Sequence, residues 1–100
     1  MKQQVIRQTL SSATWTAFEF NIPCRSFFVK NFTEGDIYVS FANDQDQNSS
    51  FKIPSMFAEE VYISDKDEVN TNWIKSAVYI YSANGGEVEV EELDIRWKNN

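Results

Sequence analysis

The side chains able to do chemistry are mostly carboxylates, and they fall into three groups. Asp44-Gln45-Asp46-Gln47-Asn48 places oxygen atoms at alternate positions, as calcium loops do. A calcium-hand loop also needs glycine at its sixth position and a bidentate carboxylate at its twelfth. Those positions hold Ser49 and Ser55, so the segment reads as a solvated loop and no metal site is expected. Asp65, Asp67 and Glu68 form a second group, interrupted by Lys66. Like charges this close repel unless hydrated, so it reads as an exposed turn. Glu87, Glu89 and Glu91 alternate with Val88 and Val90, which on a strand makes a carboxylate row along one face. Two carboxylates held across a cleft hydrolyse glycosides. A row on one open face instead serves solubility and deters edge pairing.

Cys24 is the only cysteine, so no intrachain disulfide can form. Arg25 beside it is expected to lower the thiol pKa slightly. The chain has no histidine, so a cysteine nucleophile would lack its usual base; Cys24 reads as a packed or loop thiol. Asn31-Phe32-Thr33 and Asn48-Ser49-Ser50 match the glycosylation acceptor pattern. The first seven residues contain no apolar stretch of signal-peptide length, so those matches carry no weight. No catalytic residue, metal or cofactor is expected, and the chain reads as non-enzymatic.

One hundred residues suit a single domain, residues 1–100. Eight Phe, four Tyr and three Trp stand against two Leu, Leu10 and Leu93. Aromatic and β-branched residues fit pleated, half-buried surfaces. The net charge is −6, and the nine basic residues form no run. That argues against a nucleic-acid backbone and against an anionic membrane surface as partners. No segment approaches the ~20 apolar residues of a membrane span, so the expectation is a soluble chain made in the cytoplasm.

Short alternating runs fill the sequence. Strands are expected over residues 3–10, 14–22, 25–31, 36–42, 51–53, 58–64, 73–82 and 86–97. Pro23 is expected to stop the second, because proline cannot donate to a ladder. Ile37, Val39 and Phe41 share one face of the clearest strand, in strict period two. With Val61, Ile63, Val78 and Ile80 they form the expected core. Gly35 suits a positive φ in the turn after Phe32, and Asn84-Gly85-Gly86 reads as the tight turn of a hairpin. The last strand changes phase: Val88 and Val90 are even, while Leu93, Ile95 and Trp97 are odd. A bulge at Glu91-Glu92 would absorb the change. No helix is expected beyond one turn over 55–60. Eight short strands point to an all-β, two-sheet β-sandwich of jelly-roll type. Trp73, Tyr79 and Tyr81 share the strand face opposite Ile74, Val78 and Ile80. If that face is open, it is an aromatic patch of the kind that marks interfaces.

The run Arg25-Ser26-Phe27-Phe28-Val29-Lys30-Asn31-Phe32-Thr33, through Asp36-Ile37-Tyr38-Val39-Ser40-Phe41 to Phe51-Lys52-Ile53-Pro54, resembles small β-sandwich virion proteins of tailed bacteriophages and prophages. In that pattern a strand ends in (V/I)-x-N, a turn follows, then D-I-Y-V-x-F, a loop, and I-P. One hairpin would supply two core strands, with Asn31 closing the turn through its side chain. The resemblance spans residues 25–63 and contains no catalytic residue. It implies a head decoration, head fibre or tail-associated protein, made in the bacterial cytoplasm and carried in the virion. Its partners would be other virion proteins and copies of itself, as a homo-oligomer. The alternative is a carbohydrate-binding β-sandwich module with surface aromatics stacked on sugar rings. Coplanar exposed rings along a groove would favour sugar; a flat apolar patch would favour protein.

Overall fold

The computed structural model describes residues 5–41, 51–62 and 75–93. Among them are eight strands and no helix: β1 Val5–Leu10, β2 Thr14–Cys24, β3 Ser26–Asn31, β4 Ile37–Ser40, β5 Phe51–Ile53, β6 Ala58–Tyr62, β7 Lys75–Ser82 and β8 Gly86–Glu92. They form two four-stranded sheets, β1-β8-β3-β6 and β2-β7-β4-β5. The pairings β1·β8, β2·β7, β3·β6 and β4·β5 are nested and antiparallel. The chain is thus one long hairpin rolled up, and β3·β8 and β4·β7 pairings complete each sheet. That is a jelly-roll sandwich, the fold the strand pattern predicts.

Alternation drives the packing. Even positions of β2 and β7 turn inward with Phe18, Phe20, Val78 and Ile80; odd positions of β3 and β4 do so with Phe27, Val29, Ile37 and Val39, and all eight are buried. Of the expected core, Ile37, Val39, Val61, Val78 and Ile80 are buried. Phe41 is half-buried and packs against the core from its edge, because β4 ends one residue before it. Ile63 lies outside the described residues. Phe27 joins the rings together, with centroids 5.7 Å from Phe20 and 5.9 Å from Phe41.

Four local expectations are corrected. Pro23 does not stop β2, which runs on to Cys24. The strand is at the edge of its sheet, and its pairing with β7 shifts register between Glu19 and Cys24, so a missing donor there breaks no ladder bond. The expected hairpins at β3–β4 and β7–β8 are crossovers between the two sheets. Gly85 and Gly86 make the second crossover with φ of 76° and 118°. A Cβ on Gly85 would come within 2.8 Å of the Leu10 carbonyl. Gly35 has no positive φ; its place is set by crowding, with Asn84 Nδ2 3.1 Å from where a Cβ would stand. Finally, β8 has no bulge at Glu91-Glu92. Glu91 pairs with Val5 and Phe28, and Glu92 with Phe27, in unbroken register. The phase is preserved because Glu92, not an apolar residue, takes the next inward position.

Asn31 closes its turn as expected, and does more. Its Oδ1 accepts from the Thr33 amide at 2.8 Å and the Thr33 hydroxyl at 2.7 Å. Its Nδ2 donates to the carbonyls of Gly35, Ile53 and Pro54 at 2.9, 3.0 and 3.0 Å. One buried amide therefore ties the β3–β4 crossover to the β5–β6 turn, joining the two sheets.

Candidate functional site

The outward positions of the β2-β7-β4-β5 sheet carry a row of rings. Trp15 pairs across to Tyr81, Tyr81 to Tyr38, and Tyr38 to Lys52. One step along, Ala17 and Ser40 flank Tyr79 from either side. The Trp15 and Tyr81 centroids are 5.3 Å apart with planes at 45°, and Tyr38 and Tyr81 are 6.3 Å apart at 60°. All four rings are half-buried. Period two explains the row: Phe18 and Phe20 commit even positions of β2 to the core, so Trp15 must face out. Tyr79 and Tyr81 stand on this face, as their phase in β7 predicts. Trp73 lies outside the described residues. Trp15 and Tyr38 are members that the ring spacing within β7 does not reveal. The signal for Trp15 was its odd position against even Phe18 and Phe20; for Tyr38 it was the outward phase of β4. Cross-strand register alone brings the three strands' rings together.

The opposite face belongs to the other sheet and is charged. Glu87, Glu89 and Glu91 form the expected carboxylate row, but β8 lies between β1 and β3. The row therefore covers a sheet face, and edge protection is not its role. Arg7 Nη2 reaches Glu89 Oε1 at 2.7 Å, its Nε lies 3.3 Å from Glu87 Oε2, and Lys30 Nζ is 3.4 Å from Glu89 Oε2. The hydrogen bond from Arg7 holds the Glu89 carboxyl below the usual carboxylate range. Arg7 also sits 5.9 Å over the Phe32 ring, and Lys30 5.6 Å from that of Phe28. Both basic residues are thus spent on local pairs.

Cys24, Ser26 and Glu92 are buried where β2, β3 and β8 end or begin. The Cys24 thiol donates to the Ser26 carbonyl at 3.1 Å. Burial, with the Glu92 charge adding to it, pushes the thiol up to about 12. The shift is upward, against the lowering expected from Arg25, and Cys24 is a packed thiol. Among the described residues, both Glu92 oxygens and the Ser26 hydroxyl lack a hydrogen-bond partner. Desolvation pushes the Glu92 carboxyl up to about 7. Among the described residues no group of three or more His, Cys, Asp or Glu could hold a metal ion, and no helix is long and apolar enough to cross a membrane. The Asp44 and Asp65 clusters lie outside the described residues. Comparison of the chain with protein-family models, with curated proteins and with solved structures returned no match.

Proposed function

We propose that the chain is a non-enzymatic structural protein of a phage or prophage particle, and that it works by binding other virion proteins and copies of itself. The observation that carries this reading is the Trp15–Tyr81–Tyr38 row with Tyr79, four rings spread over three strands of one sheet face. Tyr and Trp are enriched where proteins meet, since each ring adds contact area at little entropic cost. The jelly roll hosts coat proteins and lectins alike, so the fold does not choose between them. Ring geometry favours protein. A sugar stacks on an open ring face, and these rings are tilted at 45° and 60° against one another. They do not line up as coplanar platforms.

The test is electron microscopy of particles from the source host carrying a labelled copy of this chain. Ordered label on head or tail is expected, and its loss after Tyr38→Ala with Tyr81→Ala. Particles without label, or glycan binding by the purified chain that the same pair of substitutions removes, would overturn the reading.

A further inference from the structure

The turn between β5 and β6 is built at a steric cost. The Phe57 amide donates to the Pro54 carbonyl at 3.1 Å, closing a four-residue turn. Met56, its third residue, has φ of 65°, and Ser55 before it has no positive φ, so the turn is of type II. The Met56 amide donates to the Asn31 carbonyl, and the Asn31 amide to the Phe57 carbonyl, both at 2.9 Å. Met56 and Phe57, just before β6, thus oppose Asn31 alone, with the first left-handed: a bulge whose first position is ordinarily glycine. A methionine there forces its Cβ against a neighbouring carbonyl. Its side chain gains no burial in return, for Met56 is 67% and Phe57 58% exposed. The turn is also held firmly, by Ser55 Oγ donating to the Thr33 carbonyl at 2.6 Å and by the Asn31 amide on Pro54. A strained, rigid, exposed pair of large apolar residues is the pattern of a residue kept for contact rather than for stability.

The strand that leaves this turn is an edge. Among the described residues β6 pairs only with β3, and Ala58, Glu59 and Glu60 are exposed. Successive side chains alternate faces, so Glu59 and Glu60 put a carboxylate on each side of the edge. A second copy of this strand laid alongside would meet like charges, which disfavours self-pairing. A segment of opposite charge would not.

We infer that the β6 edge, headed by Met56 and Phe57, takes an extended segment of a partner protein that alternates apolar and basic side chains. Main-chain hydrogen bonds to the edge supply pairing, Met56 and Phe57 supply the apolar anchor, and Glu59 and Glu60 select Lys and Arg. This surface is independent of the aromatic face of the other sheet.

The experiment is fluorescence anisotropy with labelled nine-residue peptides alternating Val or Leu with Lys or Arg, against the same peptides carrying Glu in place of each basic residue. Basic peptides bind and acidic ones do not. Met56→Gly, which relieves the strained φ, melts no lower than the wild type yet binds about tenfold or more weakly, as loss of an anchor does. Glu59→Lys with Glu60→Lys reverses the preference to the acidic peptides. Absence of binding to the basic series, equal binding to both series, binding unchanged in Met56→Gly, or a wild-type dimer that the Lys pair dissolves would each overturn the inference.

Discussion

Glu92 is the residue most at odds with its surroundings. It sits fully buried in an inward position like those Val88 and Val90 fill earlier in β8, and among the described residues neither oxygen has a hydrogen-bond partner of good geometry. The Cys24 thiol is the titratable group that acts on it, and that proton is given to the Ser26 carbonyl. Between the ordinary carboxylate value of 4.5 and about 7, the folded chain holds a proton that the unfolded chain has released. Stability therefore falls as pH rises through that window and levels off above it. The chain has no histidine to titrate in the same range. Glu89, whose carboxyl is shifted downward, loses its contribution only below the window. Urea denaturation should accordingly give a higher midpoint at pH 5 than at pH 8 for the wild type, and Glu92→Gln should flatten the difference. Equal wild-type midpoints would mean that the carboxyl is hydrated. Glu92→Leu should stabilise the chain at pH 8 by about 1–3 kcal/mol, since an apolar side chain removes an unpaired buried charge.

Turns, more than strands, hold the elements in their places. Asn31 accepts from one amide and one hydroxyl and shares its two Nδ2 hydrogens among three carbonyls drawn from two connections. Asn31→Ala should cost about 3 kcal/mol, because each orphaned buried group carries its own desolvation penalty. Asn31→Asp should cost a similar amount, since a carboxylate cannot donate to the Ile53 and Pro54 carbonyls. A loss below about 1 kcal/mol in a denaturant titration would show that water replaces the amide. Strand interiors predict a graded response. Phe27→Ala empties a fully buried site and should cost about 3–5 kcal/mol. Phe41→Ala, beyond the end of β4 and half-buried, should cost about half as much. Equal costs would place Phe41 as deep as Phe27.

At the scale of the whole molecule the two outer faces differ in kind. One presents tilted rings from β2, β7 and β4; the other presents carboxylates held by Arg7 and Lys30. Under the proposed particle role, contacts would repeat through symmetry, and the face of rings is the one we propose for a copy of the chain. Light scattering should therefore give a mass above one chain, and Tyr38→Ala with Tyr81→Ala should return it to that of a monomer. High salt should leave the oligomer intact, because ring contacts are not screened. Dissociation by salt alone would move the contact to the charged face.

The sequence by itself determined the strands. Period two in Ile37, Val39 and Phe41, and in Val78 and Ile80, fixes both strand type and inward face, since each side chain's direction depends only on its neighbours along the chain. Asn31 as turn closer was legible for the same local reason, and so was the outward phase of Tyr79 and Tyr81. Pairing is not local. That β3–β4 and β7–β8 are crossovers, and that β8 is a central strand, follows from rolling the whole hairpin so that both apolar faces meet. Only that roll put Trp15 beside Tyr81 and Tyr38, from segments up to 66 residues apart in the chain. It also decided Glu92. The polar letter at an inward position read as a change of phase, because alternation along one strand cannot reveal that the neighbouring strands hold the register fixed through it.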